Sequence, residues 1–225
     1  MRVPRGSVVK VDIGVHMDGY IADTAVTVCF NPELENLVDC AGEALHKAIK
    51  ILRPGLSVAD FGSAIQRTIR DRGFKPISNL TGHQIGRYLI HTGKPLPNVS
   101  HFSEAKINLG EVYGVEPFVT LPDATGTVKN EPQAYIFRLL KPKSLKNSYA
   151  KQLLDFVRKN FHTLPFVERW LQGILPRDHY EAAFSELLAS KSLMAYPILA
   201  EASRKPVAQA EHTALIVKEG CLVLT

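Results

Sequence analysis

Two aspartates, Asp12 and Asp23, interrupt neighbouring stretches whose other residues favour β-strands. Strands are depleted in aspartate because its short polar side chain competes for backbone hydrogen bonds. The stretches flank Asp18-Gly19, and an Asp-Gly pair between β-formers predicts a hairpin. A two-residue loop ending at Asp18 would place the two aspartates directly opposite each other, and a loop of Asp18 and Gly19 would place them one diagonal step apart. In either register both carboxylates lie on one face of the hairpin.

Like charges on paired strands repel, and two buried carboxylates stay ionised only when positive charge lies between them. An arginine, a lysine or a metal ion would supply that charge. The alternative is that both aspartates are ordinary exposed residues, and this stretch alone does not separate the two interpretations. Asp18 falls in the predicted turn, where aspartate is common.

Further side chains able to bind metal occur in β-type or glycine-rich segments. His83 and His91 lie in NLTGHQIGRYLIHTGK, Glu116 in EVYGVEPF and Glu211 in AQAEHTALIV. Each is a weak signal by itself, since a single histidine is more often structural. Together with the two aspartates they give two Asp, two Glu and a His on otherwise apolar segments. Bridging carboxylates can hold two divalent ions close together, and such a pair can activate water and stabilise a tetrahedral oxyanion.

The composition limits the class of protein. The chain has 225 residues, 45% of them hydrophobic, which suits one large globular domain or a domain with a small companion. No apolar run approaches the roughly 20 residues that span a bilayer, and MRVPRGSVVK at the N-terminus lacks the apolar segment of a signal peptide. Three cysteines without metal-type spacing predict reduced thiols in a cytoplasmic protein. The net charge of +5 permits an anionic neighbour such as RNA without requiring one.

Periodicity divides the chain into a β-containing domain and a helical insert. Asn31 and Ser57 are N-caps of two amphipathic helices that follow the hairpin. Three short helices are predicted from residue 144 onwards, the second of them beginning at Pro165, before β-type sequence returns. The predicted domains are therefore residues 1–143 with 204–225, and an inserted subdomain of residues 144–203.

The combined stretches resemble the methionine aminopeptidases, specifically the type II group of archaea and the eukaryotic cytosol. The matching segments, in the order of the family, are VDIGVHMDGYIADTAVTV, NLTGHQIGRYLIHTGK, EVYGVEPF, TLPFVERWL and AQAEHTALIV. The resemblance implies an α/β (α+β) pita-bread fold with an inserted helical, winged-helix-like subdomain that marks type II. It also implies a metalloaminopeptidase, a hydrolase that removes the initiator methionine during protein maturation.

The resemblance further implies a dinuclear centre that activates a bridging water. Its five metal ligands are expected to be Asp12, Asp23, His83, Glu116 and Glu211, and the two divalent ions cobalt, manganese, iron or zinc. Asp23 and Glu211 would bridge the ions, Asp12 would complete one site, and His83 with Glu116 would complete the other. Glu116 is also expected to be catalytic, as the group that shuttles the proton.

The resemblance assigns two more residues to the substrate. His91 is expected to be a catalytic and substrate-binding residue that steadies the peptide and the developing tetrahedral intermediate. Tyr196 is expected to contact substrate in a small apolar methionine pocket. The implied partners are the N-termini of nascent peptides and the ribosome, with no membrane partner, and the family is usually monomeric.

The resemblance also predicts an N-terminal truncation. Family members carry a segment before the first ligand strand that supplies part of the fold and another substrate-contacting histidine, whereas Asp12 lies almost at the start here. The first part of the fold is therefore expected to be absent, with apolar surface left exposed. We expect reduced activity of this chain alone and an intact ligand set. A misplaced start, a fragment and one half of a split protein all stay open.

Three other interpretations compete with the peptidase. A non-catalytic relative that binds the ribosome, RNA or protein would be expected to have lost ligands, whereas all five are present. An aminopeptidase P or prolidase would lack the insert. A globular α/β domain with incidental acids would not place five ligand-type residues in the order of the family.

Overall fold

The computed structural model describes residues 2–225 and divides them into two compact units. The first unit contains the chain up to Lys129 together with Ala200–Thr225, and the second contains Asn130–Leu199. The boundaries predicted from the sequence, at 143/144 and 203/204, fall later in the chain than these divisions. Helices and strands occur in both units, so the predicted mixed α/β class is confirmed.

Strands β1 (Val8–Met17) and β2 (Tyr20–Cys29) form the predicted hairpin, and its turn consists of Asp18 and Gly19. Both turn residues have positive φ, 52° and 85°, which suits a two-residue turn whose twist matches that of its strands. A Cβ at Gly19 would overlap the ring of Tyr88, so the turn also packs closely against that side chain.

The register of the hairpin fixes the relation between the two aspartates. Asp12 pairs with Ala25 and Asp23 pairs with Gly14, so the carboxylates share one face at one diagonal step, the second of the two predicted arrangements. The opposite face is apolar and exposed. Its most exposed large side chains are Val11, Ile13, Val15, Met17, Tyr20 and Val26.

Two helices follow the hairpin, as predicted, and Ser57 caps the second of them, whereas Asn31 caps a 3₁₀ turn that precedes the first. The side chain of Asn31 accepts a backbone hydrogen bond before a 3₁₀ turn over Pro32–Leu34, and α1 then spans Glu35–Ile51. Ser57 accepts two backbone hydrogen bonds at the start of α2, which spans Val58–Asp71. The apolar faces of both helices pack into the core cluster of the first unit.

The remaining strands are β3 (Lys75–Pro76), β4 (Thr81–Gly86), β5 (Leu89–Pro97), β6 (Val112–Val115), β7 (Phe118–Thr120), β8 (Val128–Leu139), β9 (Phe166–Val167), β10 (Leu193–Glu201), β11 (Val207–Gln209), β12 (His212–Val217) and β13 (Gly220–Val223). A five-stranded sheet has the order β13-β12-β6-β4-β5, and a three-stranded sheet has the order β11-β7-β3. Because β12 pairs with β6, the last part of the chain lies beside its middle. This pairing positions the candidate site.

The second unit combines helices α3 (Ser148–Asn160) and α4 (Arg177–Ala189) with the sheet β10-β8-β9. The prediction of a helix that begins at Pro165 is wrong. Phe166–Val167 instead pair with β8, and Glu168–Leu171 form a 3₁₀ turn. An aromatic and a β-branched residue suit a strand, and pairing with β8 outweighs the local helical spacing.

A cavity of about 810 Å³ also lies in the second unit. Tyr135, Tyr180, Glu168 and Arg177 are among its lining residues, and none of the predicted site residues lines it. Within residues 2–225, none of the helices combines the length and apolar character needed to cross a membrane.

Candidate metal centre

Four of the five predicted ligands converge in the first unit. Asp23 lies on β2, His83 on β4, Glu116 directly after β6 and Glu211 directly before β12. Strand β6 pairs with β4 on one side and with β12 on the other, and Gly114 stands opposite His83 in that pairing. Sheet topology therefore brings together side chains that are far apart in the sequence.

Hydrogen bonds attach β2 to the segment that carries Glu211. The backbone N–H of Glu211 donates to the C=O of Ala25 at 2.8 Å, and the N–H of Ala25 donates back at 3.3 Å. The hydroxyl of Thr213 accepts from the N–H of Asp23 at 2.7 Å and donates to the C=O of Asp23 at 2.8 Å. The backbone of Asp23 is thus satisfied on both sides, and its carboxylate is free to face Glu211.

His83 Nε2 is the atom around which the carboxylates gather. It lies 3.3 Å from Glu116 Oε1, 3.7 Å from Glu211 Oε1 and 3.8 Å from Asp23 Oδ2. The ligand-type atoms of Asp23, His83 and Glu211 all lie within 4.8 Å of one another, and all three residues are buried. Such a group of oxygen and nitrogen donors is the kind that holds a divalent ion.

Asp12 joins the group through an intermediate side chain. Gln209 Nε2 donates to Asp12 Oδ2 at 3.2 Å and to Glu116 Oε2 at 3.1 Å. Lys10 lies on the same side, with its ammonium 5.6 Å from the centroid of the Phe118 ring. Burial and the neighbouring carboxylates raise the pKa of Glu116, and the charge of Lys10 offsets this rise only in part. Lys10 therefore supplies positive charge near Asp12 and Glu116. The negative charges of Asp23 and Glu211 are left for another cation to neutralise.

The two predicted substrate residues lie in different units. The ring of His91 on β5 packs edge-on against that of His83, with centroids 4.4 Å apart. Tyr196 lies on β10 in the second unit, where burial raises and the neighbouring Arg138 lowers the pKa of its hydroxyl.

Burial dominates the pKa values at the centre. It raises the pKa of Asp23 to about 6, and the charge of Asp12 acts in the same direction. Burial, followed by repulsion from neighbouring carboxylates, also raises the pKa values of Glu116 and Glu211. The pKa of His83 is lowered to about 4 by burial and then by His91. At neutral pH the imidazole is therefore uncharged, so it can serve as a metal ligand but cannot neutralise the carboxylates.

Two observations test whether the residues fit a metal. Glu211 is 1% exposed, and its Oε1 has no hydrogen-bond partner among residues 2–225. A buried carboxylate oxygen without a partner is costly unless a cation binds it. A Cβ at Gly114 would lie 2.8 Å from both Glu211 Oε1 and His83 Nε2, so glycine keeps space open beside these atoms. The donor set suits divalent manganese, iron, cobalt or zinc.

These pKa shifts predict that the metal-free chain loses stability as the pH rises. Asp23 and Glu211 have folded-state pKa values of about 6 and about 9, above their ordinary 3.8 and 4.5, so the folded state binds more protons between these limits. The free energy of unfolding must then fall, because burying the ionised carboxylates opposes folding. The lowered pKa of His83 acts in the opposite direction only below about pH 6.5, so it reduces the fall without reversing it. Urea unfolding with a chelator at about pH 5 and about pH 8 should show a drop on the order of a few kcal/mol. Manganese should remove most of the drop, and a flat or rising stability in the chelator would contradict the pKa shifts.

Gln209, Lys10 and Gly114 also belong to the centre and are not predicted above. The first two could have been found by strand periodicity: Gln209 precedes Glu211 by two residues and Lys10 precedes Asp12 by two, so each pair points to one side of its segment. The importance of Gly114 depends on the pairing of β4, β6 and β12, which the sequence does not display.

The chain is similar to known metallopeptidases. Residues 1–137 match the model of Metallopeptidase family M24. The chain is 42% identical over 221 residues to a methionine aminopeptidase of Thermococcus kodakarensis, covering 98% of this chain and 74% of that protein. Among solved structures it is similar to a thermophilic Arx1, with a TM-score of 0.80 and 20% identity, over 99% of this chain and 68% of that one. It is also similar to methionine aminopeptidase from Rickettsia prowazekii, with a TM-score of 0.64 and 18% identity, over 98% and 65% of the two chains. The two structural likenesses support the expected pita-bread fold and carry no further argument.

Proposed function

We propose that this chain, which belongs to metallopeptidase family M24 and within it to the methionine aminopeptidases, uses two divalent ions for its reaction. Methionine aminopeptidases are hydrolases that remove N-terminal methionine. The five residues proposed to hold the two ions are Asp12, Asp23, His83, Glu116 and Glu211. The observation that carries the proposal is the buried contact of an uncharged imidazole with three carboxylates, one of which has an oxygen without a partner. Ions bound there would supply Lewis acidity and an activated water.

The ligands divide between the two ions in this proposal. Asp23 and Glu211 would hold both ions, which accords with the hydrogen bonds that join β2 to the segment of Glu211 through Ala25 and Thr213. Asp12 completes one site, and His83 with Glu116 completes the other, which accords with the 3.3 Å separation of His83 Nε2 and Glu116 Oε1.

The protein side chains would handle protons and orientation. Glu116 is proposed to take the proton from the attacking water and deliver it to the leaving amine, a role that suits a carboxyl whose pKa is raised by burial. His91 is proposed to hydrogen-bond the peptide and the developing oxyanion, supported by its packing against His83. Tyr196 is proposed to line the methionine pocket.

The partners follow from the same proposal. The substrates would be the N-termini of nascent peptides in the cytoplasm, acted on by a monomer. The ribosome is proposed as a further partner, supported by the net positive charge of the chain, which favours binding to RNA. Sedimentation with ribosomes should then recover the protein at low salt and lose it at high salt.

Methionine release from a Met-Ala-Ser peptide tests the function. We expect release with cobalt or manganese and none with a chelator. Glu116→Gln should lower the rate by about 10²- to 10⁴-fold, because it removes the proton carrier. Glu104→Gln, at an exposed glutamate, is the matched control and should leave the rate unchanged. Release that persists in the chelator, or a wild-type rate in Glu116→Gln, would contradict the proposal.

A further inference from the structure

The side chain of Gln209 forms a link between two ligands that are proposed to serve different ions. Its Nε2 donates to Asp12 Oδ2 and to Glu116 Oε2, at 3.2 and 3.1 Å. Gln209 is 3% exposed, whereas Asp12 is exposed, so the bond to Glu116 is better shielded from water than the bond to Asp12. Ionised carboxylates only accept hydrogen bonds, so the amide must turn its NH₂ group towards both of them.

Hydrogen bonds and strand pairing hold the backbone of Gln209 in place, and its side chain extends from there towards the metal centre. Its N–H donates to Thr27 Oγ1 at 2.8 Å, and the same hydroxyl donates to the C=O of Gln209 at 2.7 Å. On the other side, Gln209 pairs with Phe118 between β11 and β7. The amide therefore extends from a point held on two sides, which gives its two hydrogen bonds a defined direction.

The two carboxylate oxygens of Glu116 have different neighbours. Oε2 accepts from Gln209, whereas Oε1 lies 3.3 Å from His83 Nε2. Asp12 likewise gives one oxygen, Oδ2, to Gln209. Each carboxylate thus has one oxygen engaged by the amide and one that remains for a cation. The buried Glu211 differs, because its Oε1 has no hydrogen-bond partner among residues 2–225.

From this arrangement we propose that Gln209 is a positioning residue that ties the carboxylate of Asp12 to that of Glu116 and so couples the two metal sites. The inference rests on the proposed dinuclear centre. Without the amide, Asp12 and Glu116 would repel each other and rotate apart, and Asp12 would no longer be oriented for the ion that it completes. Among residues 2–225, the amide forms hydrogen bonds to Asp12 and Glu116 and none to Asp23, His83 or Glu211, so the ion bound among these three should be affected least.

Calorimetric titration with manganese tests the proposal. Wild type should show two binding events. Gln209→Met keeps the length of the side chain without a donor, and it should weaken one event by about ten- to hundredfold while the other changes by less than about threefold. Gln209→Glu keeps the shape and replaces the donor by a third carboxylate, so it should weaken the same event at least as much. Gln66→Met is the matched control, because that amide receives the N–H of Ser100 outside the centre, and it should change neither event.

The possible outcomes separate this inference from the proposed function. Two events of wild-type affinity in Gln209→Met would overturn the coupling role and leave the dinuclear centre standing. Equal weakening of both events, accompanied by a loss of cooperative unfolding in the chelator, would also overturn it, since Gln209 would then only support the fold. If Gln209→Met does not fold, Gln209→Glu decides by the same criteria. Fewer than two events in wild type would overturn the dinuclear centre itself, and the coupling role with it.

Discussion

Glu211→Ala should abolish the binding of two divalent ions and reduce methionine release to the level of the chelated protein. Glu211 is buried, its Oε1 lies 3.7 Å from His83 Nε2, and in the proposed centre its carboxylate bridges both ions. Asp23→Ala removes the other proposed bridge and should have the same effect. Loss of a bridge removes a ligand from both ions at once, and the remaining oxygens are too few to complete either site. Calorimetry with manganese and metal analysis of the dialysed protein would measure the result.

Glu201→Ala is the matched control. Glu201 is buried, as Glu211 is, but it lies outside the metal centre. Burial raises its pKa, but donors from Ser203, Lys205 and Gly126 outweigh burial and lower the pKa to about 2. Glu201→Ala should therefore destabilise the fold by leaving these donors unpaired, and it should retain both metal-binding events. Two intact sites in Glu211→Ala or in Asp23→Ala would mean that the proposed ligand assignment is wrong.

The contrast between these two glutamates shows how a buried charge can be explained. Glu201 is surrounded by donors of its own chain, so its ionised form is satisfied without any ligand. Glu211 is surrounded by other carboxylates and an uncharged imidazole, so its ionised form lacks a counter-charge within residues 2–225. Natural folds keep such an arrangement when a cation or a proton completes it. The surroundings of Glu211 therefore favour a bound metal on physical grounds, independently of family membership.

The sequence allowed the face shared by Asp12 and Asp23 to be predicted because strand side chains alternate with a period of two. It left two registers open because a two-residue loop could end at Asp18 or at Gly19. The structure selects the second, in which Asp18 and Gly19 both have positive φ. His83, Glu116 and Glu211 could be recognised as polar residues in apolar segments, but their meeting at one point depends on the pairing of β6 with β4 and β12.

The second unit was harder to predict for a related reason. Phe166 and Val167 lie in a segment with helical spacing, and they form a strand only because Phe137 and Ile136 of β8 are available as partners. Most of strand β10 likewise falls within the helical insert that the sequence predicts, whereas in the structure it pairs with β8. Contacts between residues distant in sequence decide such segments, and local periodicity does not contain them.

Gly114→Ala should disrupt the metal centre, because the added methyl group would be placed directly against two of the proposed ligands. The new Cβ would lie 2.8 Å from Glu211 Oε1 and 2.8 Å from His83 Nε2, closer than such atoms approach in proteins. The backbone cannot move away, because Gly114 pairs with His83 on β4 and with Thr213 on β12 at the same time. The side chains of Glu211 and His83 must shift instead, and displacement by about 1 Å commonly lowers catalytic rates by about 10²-fold. We expect methionine release to fall by at least that factor and manganese binding to weaken in parallel.

Gly42→Ala separates this steric effect from the general consequences of replacing glycine. Gly42 lies in α1, and a Cβ there would meet nothing within 4 Å. Alanine in a helix interior is more stable than glycine by about 0.5–1 kcal/mol, so Gly42→Ala should raise the unfolding free energy slightly and leave metal binding unchanged. Gly114→Ala should instead combine cooperative unfolding in the chelator with weakened binding of manganese. Wild-type affinity for both ions in Gly114→Ala would show that they bind away from Glu211 and His83, because a methyl group and two coordinated ions cannot share the space that this glycine leaves open.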